Sequence, residues 1–302
     1  MTSAELVRRA AKGEPDSRIF GVSLSNIRYL DTVRSLAQQL QHPVNIVDIY
    51  VGWGSGFPTQ SVEAISATGA MPEITWEPWH YQLGVHQDTY SLTSIAGGGF
   101  DSYVLRWAQA AAAWKRPFLL RFAHEMNGNW YPWSVGVNGN TAQDYVDAYQ
   151  HVHDLFDTLG ASNVLWIWSP NVLLPSNGSL AAMYPGAQYV NFIGIDGYNF
   201  GTGVPGSKWQ SPAQVFGPTI ANIASFAPNS PILITETAAS EEGGSKADWI
   251  TEFAAYLATQ PSIAGFIWTE YVAKADWPIE SSVASEAAMR AVLANYWTGP
   301  AH

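Results

Sequence analysis

Short runs of β-branched and apolar residues alternate with longer stretches whose apolar positions recur at helical spacing, and they do so along most of the 302-residue chain. This is the sequence form of a parallel sheet whose strands are joined by helical crossovers. Eight strands are predicted, at Ile19–Ser23, Asn45–Val51, Met71–Thr75, Phe118–Phe122, Val164–Trp168, Phe192–Asp196, Ile232–Thr235 and Gly265–Thr269. Helical patterns follow at Leu30–Gln41, Ser61–Ala67, Ser102–Trp114, Ala142–Leu159, Phe216–Phe226, Lys246–Ala258 and Ser285–Tyr296, while the stretch after Trp168 reads mostly as loop. Met1–Ser17 reads as a short helix or mobile lead-in, which leaves 18–302 as one domain. Eight βα units without a linker, repeat or charge block predict a single (β/α)₈ TIM barrel, a fold of typically about 250 residues. A doubly wound sheet is the alternative, and it would want a phosphate-binding glycine turn after its first strand. Neither G-x-G-x-x-G nor G-x-x-x-x-G-K-[ST] occurs, and Gly52-Trp53-Gly54-Ser55-Gly56 is one residue short and carries a bulky Trp. In a barrel the chemistry sits on the loops beyond the carboxyl ends of the strands.

Charge narrows the partners. Lys and Arg number 14 against 25 Asp and Glu, a net charge of −11, which removes the attraction that non-specific nucleic-acid or anionic-membrane binding needs. No stretch approaches the roughly 20 consecutive apolar residues of a membrane span, and the N-terminal residues lack the apolar core of an export signal. A chain whose leader has been removed reads the same way, and a secreted, monomeric protein is the expectation. The absence of cysteine excludes disulfides, thiolate metal sites and a Cys nucleophile.

Aromatic content changes the picture most. The chain has 14 Trp, 14 Tyr and 12 Phe, and Trp53, Trp76, Trp79, Trp130, Trp133, Trp168, Trp209, Trp268 and Trp277 stand beside Gly, Asn, His or Glu in loop-like contexts. Flat rings among carboxylates and amides suit a pyranose, which offers C–H patches on its faces and hydroxyls around its edge. A neutral polysaccharide also needs no basic groove, and no cofactor is implied.

Two acids follow β-rich runs: Glu125 in Arg121-Phe122-Ala123-His124-Glu125-Met126-Asn127-Gly128-Asn129-Trp130, and Glu236 in Ile232-Leu233-Ile234-Thr235-Glu236-Thr237. They are far apart in the chain, but a barrel brings all strand ends to one rim. Paired carboxyls across a sugar-lined rim are what glycoside hydrolysis requires. One of the two must protonate the leaving oxygen and the other attack or activate water. Metal binding is disfavoured, because Gly128 stands where H-E-x-x-H needs its second His and His151 and His153 point apart on a helix. Asn127, Asn171 and Asn199 suit either sugar hydroxyls or turn caps, and Trp133 and Trp168 either cleft or core. Trp79, in Trp76-Glu77-Pro78-Trp79-His80, suits a distal sugar platform. Glu270 suits either sugar binding or a pair with Lys274 or Arg121.

The segment His124-Glu125-Met126-Asn127-Gly128-Asn129-Trp130, with the shorter Thr235-Glu236-Thr237, resembles glycoside hydrolase family 26 over nearly the whole chain. The resemblance implies a retaining β-glycanase on a (β/α)₈ barrel, with Glu125 as acid/base, Glu236 as nucleophile and Tyr198 as the tyrosine bonded to it. In those roles, desolvation by aromatic neighbours such as Trp130 would raise Glu125 into the range of a general acid, and hydrogen bonds from Tyr198 with an electrostatic contribution from Arg121 would keep Glu236 ionised. It also implies sugar contacts for His124 and Trp130 and a strand-eight aromatic floor at Trp268. Most of the family cuts β-1,4-mannan, so an endo-mannanase is the first expectation and an endo-β-1,3-1,4-glucanase the second. Ala123, Tyr131-Pro132-Trp133-Ser134 and Glu241-Glu242-Gly243-Gly244 depart from the common mannanase pattern, the last toward the glucanase branch. A non-catalytic carbohydrate-binding barrel is the alternative of another class.

Overall fold

A computed structural model describes residues 1–14, 18–173 and 178–296, so the expected domain limits at 17 and 302 lie outside the described residues. Eight parallel strands close on themselves in chain order: β1 (Ile19–Leu24), β2 (Ile46–Gly52), β3 (Met71–Glu77), β4 (Phe118–Phe122), β5 (Val164–Trp168), β6 (Phe192–Asp196), β7 (Ile232–Thr237) and β8 (Ile263–Thr269), which pairs back to β1. The helices are α1 (Ser3–Ala10), α2 (Leu30–Leu40), α3 (Thr59–Ala67), α4 (Leu92–Ala96), α5 (Asp101–Trp114), α6 (Ala142–Thr158), α7 (Leu180–Met183), α8 (Pro212–Phe226), α9 (Lys246–Ala258) and α10 (Val283–Tyr296). The predicted (β/α)₈ barrel is the observed architecture. Differences lie at the ends. β3 and β7 run two residues beyond the predicted limits, so Glu77 and Glu236 belong to strands rather than loops. α8 starts at Pro212, four residues early, because Ser211 and Gln214 form a reciprocal capping box with proline at the first helical position. The fifth crossover, read as loop, carries the short α7.

Parallel strands are covered on both faces, which gives two buried layers. Between sheet and helices, Trp76 stacks on Trp107 of α5 at 4.3 Å and 24°, and Trp249 of α9 stacks on Phe253 at 5.1 Å. Trp53, Trp76, Trp133, Trp168 and Trp268 are all at most 1% exposed, so much of the tryptophan expected to face a ligand instead fills the core. Inside the barrel, Ile19, Ile46, Met71, Leu119, Ile167, Phe192, Leu233 and Ile267 form an apolar floor, and Val7 and Ala10 of α1 pack against it from below. The reading of the first residues as a short helix holds for Ser3–Ala10, whose start is fixed by a Thr2–Glu5 capping box.

Above that floor the register assembles a polar layer. Ser23 pairs with Asp48, Asp48 with Glu73, and Thr75 with Arg121 on successive strands, and a period of two turns all of them inward. Gly194 of β6 is needed at this level, because a Cβ there would overlap Ser169 Oγ and Thr235 Oγ1.

Candidate active site

Arg121, fully buried at the barrel axis, organises the polar layer. Its Nη1 donates to Asp196 Oδ1 at 2.8 Å and its Nη2 to Glu236 Oε1 at 2.6 Å. Nε and Nη2 also donate to Thr75 Oγ1, at 2.9 and 2.7 Å, and that hydroxyl donates to Asp48 Oδ1 at 2.8 Å. Glu73 Oε1 and Asp48 Oδ2 stand 3.3 and 3.5 Å from the guanidinium. Four carboxyls thus share one cation. Burial pushes Glu73 well above the ordinary carboxyl range, which favours its neutral form, and Asp48 up to about 6.

Glu236 sits at the top of this layer on β7. Besides Arg121, Tyr198 OH donates to its Oε2 at 2.6 Å and Tyr50 OH to its Oε1 at 2.8 Å. Burial alone would push it up. The adjacent guanidinium and the two phenol donors outweigh that and hold it below the usual carboxylate range. His124 Nε2 lies 3.9 Å away, and burial with the nearby Arg121 charge pushes its imidazole down to about 3, so the ring is neutral.

Glu125 is placed by a strained turn after β4. Ala123 and Glu125 both have left-handed backbones, with φ of 46° and 52°, a conformation unfavourable for residues with a Cβ. Hydrogen bonds pin it: Ala123 N to Trp76 O, Glu125 N to Ser169 O and Trp133 Nε1 to His124 O. A Cβ at Gly128 would lie 2.6 Å from the Trp130 ring, so glycine lets that indole fold back over the turn. Trp130 Nε1 donates to Glu125 Oε2 at 2.5 Å and Asn171 Nδ2 to Oε1 at 2.6 Å. Burial, and then the negative charge of Glu236, push Glu125 up to about 7, with those two donors pulling the other way. Burial is thus the main cause of the upward shift, as expected, and the Trp130 N–H works against it.

Around the two acids lies a cleft of about 460 Å³, lined on its walls by Trp130, Tyr131, Tyr198, Phe200, Tyr271 and Trp277. Of the residues singled out in the sequence, Arg121, His124, Glu125, Trp130, Tyr198 and Glu236 come together here. Trp268, Asn127 and Trp79 lie outside its lining. Trp268 faces outward from β8, fully buried, with Nε1 donating to Trp277 O at 2.8 Å. The strand alternation that sends Thr269 to the cleft sends Trp268 to the helices, and the half-buried ring that lines the cleft just after β8 is Tyr271. Asn127 is buried and exchanges both its amide groups with the Asn171 backbone, at 2.8 Å each; it fixes the loop that presents Asn171 to Glu125. Trp79, half-buried, donates to Glu77 Oε2 at 3.2 Å and packs edge-on against Tyr131, near the rim but outside the lining of this cleft. Glu270 pairs with neither Lys274 nor Arg121: its Oε2 accepts from Ile279 N at 3.2 Å. Sequence reasoning missed Tyr50, although Ile46, Asp48 and Tyr50 are spaced by two along a strand. Among the described residues, the His153, Asp154 and Asp157 group on α6 is the cluster with metal-ligand spacing, and its two acids are exposed.

This arrangement matches a known family: the sequence model for glycosyl hydrolase family 26 covers residues 61–279. The chain belongs to that family. Endoglucanase H of Acetivibrio thermocellus is 38% identical over 266 residues, covering 85% of this chain and 28% of that protein. A mannan endo-1,4-beta-mannosidase of Bacillus subtilis strain 168 is 31% identical over 149 residues, 43% of this chain and 40% of that one. The family 26 chain thus spans well under half the length of these curated relatives. A solved family 26 beta-mannanase from Bacteroides ovatus superposes with a TM-score of 0.73 at 16% identity, covering 97% of this chain and 93% of that one, a likeness of fold.

Proposed function

We propose that this family 26 barrel is a retaining, endo-acting glycoside hydrolase that cleaves a neutral β-glycan by double displacement. The observation that carries the reading is the opposite tuning of two carboxyls on one cleft: Glu236 held ionised by Arg121, Tyr50 and Tyr198, and Glu125 pushed up to about 7. In the first step Glu236 attacks the anomeric carbon while the Glu125 proton passes to the leaving glycosidic oxygen, giving a glycosyl ester. In the second, the Glu125 carboxylate takes a proton from water, the resulting oxygen attacks the same carbon, and the Glu236 carboxylate leaves. His124, neutral beside Glu236, and the half-buried Trp130 ring are suited to hydroxyls and a ring face of the sugar flanking the bond.

For the polymer we favour a β-glucan backbone, in which case mixed-linkage glucan moves ahead of mannan. Support comes from the relative aligned over 85% of the chain, whose name is endoglucanase. Mannan is the second reading, supported by the mannosidase similarity over 43%. Reducing-end release from barley-type mixed-linkage glucan, galactomannan, glucomannan and β-1,3-xylan, with a Glu125→Ala/Glu236→Ala blank, separates these. Cleavage of the mixed-linkage glucan but not galactomannan is the expected result; the reverse installs mannan. Retained binding without release from any polymer would instead indicate a carbohydrate-binding barrel.

A second test uses pH. The activity profile should be bell-shaped, with an acid limb from Glu236 ionising and an alkaline limb near 7 from Glu125 losing its proton. Trp130→Phe removes a donor that favours ionised Glu125, so its alkaline limb should move to higher pH. An unmoved or lowered limb in kcat/KM would contradict the assignment of Glu125 as the acid.

A further inference from the structure

Lys246 is the first residue of α9, where a cation meets the positive end of the helix dipole, and it is fully buried. Both circumstances oppose an ammonium, so local oxygen atoms must compensate. Its Nζ donates to the carbonyl oxygens of Asp276 at 3.0 Å, Trp277 at 2.9 Å and Pro278 at 2.7 Å, and to Ser281 Oγ at 2.8 Å. All four acceptors lie in the segment between β8 and α10. That segment carries Trp277, which is 2% exposed at the edge of the cleft and packs its ring behind two lining rings, 5.2 Å from Tyr198 and 5.5 Å from Phe200; Tyr198 in turn donates to Glu236. The buried ammonium and the cleft wall are therefore two sides of one short loop.

We propose that Lys246 is a positioning residue for substrate: by gathering the carbonyls of 276–278 its ammonium fixes the buried Trp277 ring behind Tyr198 and Phe200, the part of the cleft wall that a sugar meets, and loss of the proton loosens that wall. The inference rests on the cleft being a glycan site. The charged groups facing Lys246 are Glu241 from the segment after β7, and Glu270, Asp276 and Glu280 from the segment after β8. Burial pushes the ammonium down to about 8, against the pull of those four acids. The ammonium shares three protons among the four acceptors, and a neutral amine keeps two and no charge, so part of the clasp opens above that pH. The effect on global stability has the opposite sign. A lysine whose folded pKa lies below its unfolded value favours folding increasingly as pH rises between the two. Weaker substrate binding without loss of thermal stability is the signature that separates this clasp from alkaline unfolding.

The experiment compares the full chain with its Lys246→Met and Glu241→Gln variants, measuring KM and kcat on the cleaved glucan, melting temperature and tryptophan fluorescence across about pH 6.5 to 9.5. In the unmodified protein KM should rise about fivefold through the Lys246 transition, the size of one aromatic stacking contact, while melting temperature does not fall with it. Lys246→Met should show the high KM at every pH and no transition. Glu241→Gln, which removes an acid that favours the ammonium, should keep the transition and move it to lower pH. A Lys246→Met protein with the unmodified KM and pH profile overturns the proposal. If that variant does not fold, an unshifted transition in Glu241→Gln overturns it. Should no polymer be hydrolysed, the functional reading falls separately, and the tryptophan fluorescence transition, with its shift in Glu241→Gln or its absence, still decides the role of Lys246.

Discussion

Glu236→Ala is expected to lower kcat by about 10⁴-fold or more, the scale seen when a nucleophile is removed from a group of residues acting together. The loss should fall on kcat with the fold intact, because the side chain lies at the top of the polar layer and its three donors, Arg121, Tyr50 and Tyr198, keep other partners or reach the cleft. Azide supplied to this variant with an activated aryl β-glycoside should restore turnover and give the α-glycosyl azide, since a small anion attacking from the vacated side inverts the carbon once. The same anion with Glu125→Ala should give the β-glycosyl azide, because there Glu236 still forms the ester. Product configurations read by NMR decide between one displacement and two. Ordinary turnover by Glu236→Ala would end the two-carboxylate scheme.

Arg121→Met should have the largest effect on stability. It deletes the cation at the axis and leaves Asp48, Asp196 and Glu236 without the charge that stands within 3.5 Å of each. Breaking a buried ion pair from one side costs about 3–5 kcal/mol, and the surviving acids must take up protons. Thermal or urea unfolding followed by circular dichroism reads the loss. Activity carries a second signature, because Glu236 without the guanidinium is raised by its burial and the acid limb of kcat/KM should move to higher pH. A variant with unchanged melting and an unmoved acid limb would show that the tyrosines alone hold Glu236.

The barrel was legible because eight apolar runs alternate with helical periods, and the rim acids because Glu125 and Glu236 terminate two of those runs. The polar layer was harder to read. Asp48, Glu73 and Asp196 sit inside runs that otherwise look like ordinary buried strands, and only the register between strands brings them around Arg121. The tryptophans misled for a related reason. Residue type and neighbours say that a ring has a polar handle, but whether it meets a sugar or a helix is set by strand parity, and Trp268 and Thr269 fall on opposite sides. Asn127 shows the remaining limit: its choice between sugar and backbone depends on where the Asn171 loop comes to lie.

The helix under the barrel has a practical consequence. α1 packs on the apolar floor formed near the amino ends of the strands, whereas Glu125 and Glu236 open at the carboxyl ends. A bead, surface or partner module joined ahead of Thr2 would therefore be separated from the scissile bond by the height of the barrel. Immobilised in that way, the molecule would present its working face outward, free for an approaching polymer strand to settle across it.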